Sequence, residues 1–174
     1  LVTAIPNDAY TFHHWEQDLT GTAPTGTVTM TGNRTIRAVF ASKPPGRRLC
    51  VPTSYPTIQA AIDAATYNDT VCIEAGTFSG DGFHDLVFPR DHITLDGAGK
   101  ADTTINLANA HRLAEFDNLS GMQITDLTIA NGAADKGGAI KIDMKSELAL
   151  SNVRIHDCTS TSYGGAIYLS NNDS

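Results

Sequence analysis

One pattern of alternating apolar and polar residues occurs twice between residues 120 and 174. The first copy covers Met122–Ile129 and the second covers Leu148–Ile155. Each copy is followed by the residues Gly-Gly-Ala-Ile, which begin at Gly137 and at Gly164. Ile129 and Ile155 are 26 positions apart, whereas Gly137 and Gly164 are 27 apart. The pattern predicts a structural repeat whose turn varies by one residue between copies.

Each copy indicates short β-strands with one apolar face, because successive side chains of a strand point to opposite sides. Stacked copies would place each apolar residue over its equivalent. The pairs Gly137-Gly138 and Gly164-Gly165 suit turns where a side chain would clash or a positive φ is needed. Asn131 and Asp157, at equivalent positions, are expected to bond backbone groups of neighbouring turns. Strands at this period without intervening helices predict a β-helix, a coil of parallel strands.

Residues 57–65 have helical periodicity instead. Ile58, Ala61, Ile62 and Ala65 share one helical face, and Thr57 is a suitable N-cap. One amphipathic helix ahead of a series of strands would cover the end of a β-helix, which would otherwise expose apolar side chains and unpaired strand edges. We therefore predict a capping helix and assign residues 49–174 to the N-terminal part of a β-helix.

The first 42 residues predict a separate small β module. Strands are expected at residues 2–5, 10–15, 27–30 and 35–40, and a hairpin turn at Gly32-Asn33 would join the last two. The expected core of the module consists of Tyr10, Phe12, Trp15, Ile36 and Phe40. Residues 43–48, which contain prolines and three basic residues, predict a linker and a solvated domain junction.

The module, assigned to residues 1–42, resembles the divergent internalin-type B-repeat, a small extracellular module of bacterial surface proteins. The matching residues are Ala4-Ile5-Pro6-Asn7, Tyr10-x-Phe12-x-x-Trp15, and Thr29-Met30-Thr31 ahead of Ala38-Val39-Phe40. The family has an earlier strand and turn that are missing here, so this copy is expected to be truncated. Such modules act mainly as spacers or stalk units, and the resemblance implies no catalytic residue.

Residues 49–174 resemble right-handed β-helix proteins of the pectate-lyase type. The residues that match the N-terminal cap and next turn are Pro56–Ala65, Asp69–Val71, Gly76–Phe78, Ile93–Gly99 and Thr103–Ile105. The Gly-Gly-Ala-Ile blocks are similar to those of secreted β-helix repeat proteins and polymorphic autotransporter adhesins. The resemblance implies an all-β fold: a right-handed parallel β-helix with an N-terminal capping helix, preceded by the small β module.

Charge and apolar content narrow the functional class. A formal net charge of −7 and a pI near 5.2 argue against a nucleic-acid partner, because a nucleic-acid binder would carry a basic stripe. No apolar run approaches the ~18–20 residues that a membrane-spanning helix needs. Both ends of the sequence are expected to continue into a longer protein.

The three cysteines bear on the cellular compartment. Cys50 and Cys72 lie on short apolar strands that flank the helical stretch, an arrangement that would make them neighbours within reach of a disulfide. Such a bond would indicate an oxidising, extracellular or cell-surface setting. Two buried thiols are the alternative. Cys158 is expected to be a packed thiol rather than a reactive one.

The outward-facing residues show no catalytic signature. On the aligned repeats they pair as Asp126 over Asn152, Thr128 over Arg154 and Lys141 over Tyr168. No stack gathers acids, whereas a calcium-dependent lyase needs clustered carboxylates and a basic residue, and a hydrolase needs several close aspartates. We predict no catalytic residue, metal or cofactor in this segment. The non-enzymatic interpretation is favoured, and further coils could still supply a catalytic site.

Several polar residues were candidates for a metal site on residue type alone. Asp81 and Asp85 could ligate calcium, but their segment lacks the spacing of a calcium loop, and an ordinary turn is favoured. His13 and His14 should point to opposite faces of a strand, which argues against a shared metal. The other histidines are scattered and are expected at solvated turns: His84, His92, His111 and His156.

These observations favour a structural protein of the cell surface or extracellular space: a stalk, an adhesin shaft or a filament subunit. Its expected partner is a second copy that docks on the open end of the β-helix, and a surface polysaccharide is a further candidate. The alternative is a carbohydrate-active enzyme or carbohydrate-binding protein, for which Tyr163 and Tyr168 are the only aromatic residues near a suitable face. A third hypothesis is an adhesin with a specific host receptor.

Overall fold

The computed structural model describes residues 1–6, 10–42, 46–143 and 145–170. The chain divides into two units, Leu1–Pro45 and Gly46–Ser174. Residues 43–45 of the predicted linker lie outside the described ranges. Arg47 and Arg48 of the predicted linker have side chains that are 55% and 62% exposed, and they also form ion pairs with Asp69 and Asp96.

The first unit is a small antiparallel β module. Its strands are β1 (Val2–Thr3), β2 (Tyr10–Gln17), β3 (Thr25–Gly26) and β4 (Ile36–Ser42). β2 pairs with β4 and β1 pairs with β3. Residues 27–30 do not form a strand, so the predicted hairpin at Gly32-Asn33 is wrong. Pairing with β2 brings Phe40 against Phe12, an aromatic contact that outweighs the local turn signal.

A β-bulge in β2 sets the direction of its side chains. Phe12 pairs with Phe40 and His14 pairs with Val39, which leaves His13 as the extra residue. The insertion reverses the alternation, so the rings of Phe12 and Trp15 lie on one side with centroids 5.2 Å apart. The rings of His13 and His14 also meet, at 4.8 Å between centroids. The prediction that these histidines point to opposite faces is therefore wrong.

Trp15 is the large buried side chain of this module. It is 7% exposed, and its Nε1 donates a hydrogen bond to the Ala23 carbonyl at 2.9 Å. Tyr10 and Phe40 were expected in the core but are 44% and 37% exposed. A two-stranded sheet has too little surface to cover every aromatic side chain that it carries.

The second unit is a parallel β-solenoid that contains one short helix. Its elements in the first three turns are β5 (Arg48–Val51), α1 (Ile58–Ala64), β6 (Thr70–Ile73), β7 (Gly76–Phe78), β8 (Thr94–Gly97), β9 (Thr103–Asn106) and β10 (Ala114–Asp117). Those in the last two turns are β11 (Met122–Thr125), β12 (Thr128–Ala130), β13 (Ala133–Lys136), β14 (Ile140–Asp143), β15 (Leu148–Ser151), β16 (Arg154–His156), β17 (Thr159–Tyr163) and β18 (Ile167–Leu169).

These strands form four parallel sheets. The largest has five strands in the order β15-β11-β8-β6-β5, one strand for each turn of the coil. The others have the orders β16-β12-β9-β7, β10-β14-β18 and β13-β17. The predicted fold class, a parallel β-helix with one short helix after a small β module, is confirmed; its handedness stays a prediction.

The two sequence repeats lie in register. Ile129 pairs with Ile155, and Ile140 pairs with Ile167. Between these positions the register shifts, since Ala134 pairs with Ser160 but Lys136 pairs with Tyr163. The one-residue difference between the offsets of 26 and 27 is therefore an irregularity in β17, within a strand rather than in a turn.

The interior of the coil is an apolar column. Fully buried residues from successive turns include Val71, Leu95, Ile105, Phe116, Ile124, Ile129 and Ile140. Burying one such side chain contributes about 1.5–3 kcal/mol, and register places each residue against its equivalent in the adjacent turn. Among the described residues, no further turn packs against the final one, and its Leu150 and Leu169 are 39% and 72% exposed.

Helix α1 packs on the first turns of the coil. Thr57 is its N-cap and accepts a hydrogen bond from the Ala60 amide, as predicted. Ile58, Ala61 and Ile62 are fully buried and belong to the same core as the residues of β5 and β6. The helix therefore shields the apolar interior at this end of the solenoid.

Candidate functional site

A disulfide joins the first two turns of the solenoid. Cys50 in β5 pairs in register with Cys72 in β6, their Cα atoms are 4.5 Å apart, and their sulfurs are bonded, as expected from the sequence. Cys158 is a free thiol. Its Sγ accepts a hydrogen bond from the Gly132 amide at 3.3 Å, and burial raises the pKa of the thiol. A raised pKa disfavours the nucleophilic thiolate.

Four of the predicted turn residues share one backbone conformation. Gly137 and Gly164 have positive φ angles of 63° and 62°, and Asn131 and Asp157 have φ angles of 57° and 53°, so all four adopt the left-handed conformation. The Asn131 amide donates to the side chain of Asn106, one turn earlier, at 3.2 Å. Asp157 Oδ2 lies 2.7 Å from Nδ1 of the adjacent His156. Both contacts join side chains and differ from the expected bonds to backbone groups.

Charged residues gather on the outer face of the sheet formed by β10, β14 and β18. Register places Glu115, Lys141 and Tyr168 in one row and Asp117 beside Asp143 in another. The prediction that no stack gathers acids is therefore wrong. The two aligned repeats begin after β10, so they did not include the acids that this earlier strand contributes.

Lys141 neutralises part of this acidic surface. Its Nζ lies 2.6 Å from Glu115 and 2.7 Å from Asp143. Hydrogen bonds from Lys141 to Asp143 and Glu115 raise the pKa of the amine. Burial opposes ionisation of Asp143, but the hydrogen bond and the charge of Lys141, together with smaller contributions from Ser170 and Glu115, outweigh it and lower the pKa of that carboxyl. A general base needs a lowered amine pKa, so the raised pKa of Lys141 does not favour that role.

Thr128 also differs from its expected outward position. Its side chain is 4% exposed, and its hydroxyl donates to the Lys100 carbonyl at 2.6 Å. The hydroxyl therefore satisfies a backbone group of the preceding turn. Of the three outward pairs predicted from the repeats, two are confirmed. Lys141 lies over Tyr168 in the register of β14 and β18, and the Asn152 amide donates a hydrogen bond to Asp126 one turn earlier.

A shallow groove runs beside these charges on the side of the second and third turns. Its volume is about 440 Å³, and it is lined by Asp85, Leu86, Val87, Phe88, Arg112, Glu115, Asp117 and Leu119. Arg112 forms ion pairs with Asp135 and Glu115. Arg112 and Glu115 of the lining therefore pair with each other across this part of the groove.

At one end of the groove, three residues form a cluster that the sequence analysis missed. Asp85 Oδ2 lies 2.7 Å from His111 Nδ1 and 3.1 Å from His84 Nδ1. The imidazole rings are stacked, with centroids 3.6 Å apart and an angle of 13° between their planes. Burial opposes ionisation of Asp85, but bonds from His111 and His84 outweigh it and lower its pKa.

A signal for this cluster was present in the spacing. His84 and His111 are 27 positions apart, the same offset that separates Gly137 and Gly164. Residues one repeat apart lie on adjacent turns of a solenoid. The expectation that these histidines are scattered at solvated turns is therefore wrong for His84 and His111.

The geometry defines a small antiparallel β module and a disulfide-bonded parallel β-solenoid in one chain. A family model described as the divergent InlB B-repeat domain matches residues 1–44, in agreement with the resemblance found in the sequence. Comparisons with curated proteins and with solved structures found no match for this chain. In the described ranges, no helix is both long and apolar enough to cross a membrane.

Proposed function

We propose that this chain is a structural segment of an extracellular or cell-surface protein, such as a stalk, an adhesin shaft or a filament subunit. The observation that carries the proposal is the match of residues 1–44 to a B-repeat domain in the same chain as a parallel β-solenoid. The disulfide between Cys50 and Cys72 supports an oxidising compartment. We also propose that the coil is right-handed and of the pectate-lyase type.

A parallel solenoid suits a structural role for a physical reason. Each turn forms backbone hydrogen bonds to the turns before and after it, and its apolar side chains stack along the same direction. The interior of the coil is filled by buried apolar side chains, and the raised pKa of Lys141 does not favour the role of a general base. These features support a scaffold over a catalyst.

Surface labelling tests the proposal. Antibodies raised against the 174-residue chain would be applied to intact cells of the source organism and to permeabilised cells. The proposal predicts equal labelling of both, and loss of the signal from intact cells after external protease treatment. Labelling that requires permeabilisation would contradict it. Antibodies against a known cytoplasmic protein, applied to the same intact cells, control for cell integrity.

The partner that we propose for the last turn is a second copy of the chain. Among the described residues, β15, β16, β17 and β18 are edge strands, and Leu150 of β15 and Leu169 of β18 are exposed. Strand addition would pair these edges and cover the apolar side chains. Sedimentation should show a concentration-dependent dimer that the L150D/L169D variant abolishes and that M30D, at an exposed site in the other unit, leaves unchanged. A monomer at all concentrations would contradict it.

One observation favours binding of a surface polysaccharide as a second function. Tyr163, which is 66% exposed, lies near Tyr168 with ring centroids 6.5 Å apart, and Lys136 Nζ is 5.1 Å from the Tyr168 ring. Two adjacent aromatic rings and a cation offer an apolar and electrostatic platform for an acidic sugar. Retention on acidic polysaccharide that Y163A/Y168A loses and Y10A keeps would support this function. Equal retention of both variants would exclude it.

A further inference from the structure

We propose that His84, Asp85 and His111 form a binding site for one divalent transition-metal ion, with Zn²⁺ as the best-fitting ion. Their candidate ligand atoms, one from each side chain, all lie within 4.8 Å of one another. This inference concerns a ligand of the solenoid and is independent of the structural role proposed above.

The backbone brings the three residues together from adjacent turns. His84 and Asp85 come from the second turn, and His111 comes from the third. The Asp85 amide donates to the Arg112 carbonyl at 2.8 Å, and Leu86 forms a parallel bridge with Ala114. The cluster is therefore attached to hydrogen-bonded backbone on both sides, which reduces the ordering that a metal would have to impose.

The donor set selects the class of metal. Two imidazole nitrogens and one carboxylate oxygen suit zinc, copper or nickel, whereas calcium and magnesium prefer oxygen donors alone. Three protein ligands and an open fourth position are the pattern of zinc sites that retain a water molecule. Asp85 lines the adjoining groove, so that position would face solvent.

Binding requires only local rearrangement. Asp85 Oδ2 lies within hydrogen-bonding distance of both Nδ1 atoms. The two imidazole nitrogens and the carboxylate oxygen therefore already surround the place that a metal ion would take. Rotation of the rings would direct both Nδ1 lone pairs towards the ion at about 2.0–2.1 Å. In the bound form each neutral imidazole would carry its proton on Nε2, which leaves the Nδ1 lone pair free for the ion.

The cationic side chain of Arg112 does not oppose binding of a metal ion. Arg112 directly follows His111, but its guanidinium forms ion pairs with Asp135 and Glu115. Its side chain is 14% exposed, which limits its freedom to move towards the cluster. The His84 side chain is 11% exposed, so one ligand is held in the packed surface while Asp85 stays accessible.

The chain contains a matched control. His156-Asp157 repeats the dipeptide His84-Asp85, and Asp85 and Asp157 both have left-handed φ angles, of 49° and 53°. His156 Nδ1 lies 2.7 Å from Asp157 Oδ2. In the described part of the chain, His84, Asp85 and His111 are the one group of three that could hold a metal. The His156-Asp157 pair therefore tests whether a single histidine and aspartate suffice.

The experiment is isothermal titration of ZnCl₂ into the untagged, metal-stripped 174-residue protein, repeated with CaCl₂. We expect one Zn²⁺ per chain, no comparable calcium binding, and a higher Tm with zinc. H84Q, H111Q and D85N should each weaken zinc binding at least about tenfold, because even outer partners of metal ligands cost about 10–100-fold when removed. H156Q should bind like the unchanged protein, and H13Q/H14Q removes a competing histidine pair.

D85N separates a loss of zinc binding from a loss of folding. D85N changes a side chain that is 54% exposed, so its circular dichroism should match that of the unchanged protein. In NMR spectra, zinc should shift the ring protons of His84 and His111 and leave those of His156 in place. Absence of saturable zinc binding, or zinc binding that H111Q and D85N leave intact, would overturn the proposal.

Discussion

Asp69 is the most strongly bonded buried carboxylate that the structure describes. It is 1% exposed and accepts hydrogen bonds from the Arg47 amide and guanidinium and from the Thr66 amide and hydroxyl. Arg47 also donates to the Ala64 carbonyl at the end of α1. Burial alone would raise the pKa of Asp69, but the bonds from Arg47 and Thr66 outweigh it and lower the pKa to about 2.

This shift predicts an acid-sensitive contribution to stability. The pKa of Asp69 falls from a usual value of 3.8 to about 2 on folding. Its contribution of about 2 kcal/mol is therefore complete above the unfolded pKa and is lost as the pH falls from about 4 to about 2. Urea unfolding at a series of pH values measures it. D69N should lose about 2–4 kcal/mol at neutral pH and show a flatter acid profile, because it leaves the Arg47 charge without its partner.

The exposed Asp81 provides the control for this measurement. D81N should keep both the neutral stability and the steep acid limb of the unchanged protein. If D69N retained the same acid profile as D81N, the carboxylate would not be the source of the pH dependence.

At the scale of elements, neighbouring turns approach so closely that some positions exclude a side chain. A Cβ on Gly138 would collide with the carbonyl oxygens of Thr159 and Gly165 in the next turn. The equivalent Gly165 has more room, since the nearest described atom, the Cys158 oxygen, would lie 3.7 Å away. Neither glycine has a positive φ, so the difference is one of contact and not of backbone conformation.

We expect G138A to destabilise the solenoid by about 1–3 kcal/mol or more, the usual cost of overpacking. G165A should change stability by less than about 0.5 kcal/mol, because the substitution meets no close backbone. Chemical unfolding of the two variants side by side measures the difference. Equal stabilities would contradict the close approach of Gly138 to Thr159 and Gly165 in the next turn.

The disulfide between β5 and β6 closes a loop with a sequence separation of 22. Loop-closure entropy for a loop of this length corresponds to about 3 kcal/mol. We expect the free energy of unfolding of C50S/C72S to be lower by about 3 kcal/mol. The reduced protein should show the same loss of stability. C158S removes the free thiol and should have a much smaller effect. A C50S/C72S variant as stable as the oxidised protein would contradict a stabilising role.

The sequence predicted the elements better than it predicted the contacts between distant ones. The repeated apolar pattern was sufficient to predict the parallel coil and the equivalence of Ile129 and Ile155. Burial on one face of each strand requires apolar residues at the same positions in every turn. The bulge at His13 left no comparable mark, since one extra residue changes the direction of side chains without changing their type. The hairpin at Gly32-Asn33 failed because aromatic pairing with β2 outweighed the local turn residues.

The charged surface was hidden for a related reason. His84 and His111 are one repeat apart, and so are Asp117 and Asp143, but the segments around the earlier members lack a recognisable copy of the pattern. Only the register of the turns shows that they are neighbours. Spacings of 26 or 27 between polar residues would have indicated both the histidine cluster and the acidic row.

At the scale of the whole molecule, two separately compact units share one chain. The first matches a B-repeat domain over residues 1–44, and the second is a solenoid whose interior is filled by its own side chains. Its outer surface carries the residues for which we propose binding of a metal, a polysaccharide or another copy. The central claim is that this surface is displayed outside the cell as part of a structure.

Electron cryo-tomography of the native cell surface and its extracellular material, with the protein located by a specific label, tests that claim most directly. We expect the label on projections or regular assemblies outside the cell, with solenoid turns of neighbouring copies in contact where the assembly is regular. Label found only on dispersed single molecules, or inside the cell, would contradict the structural role.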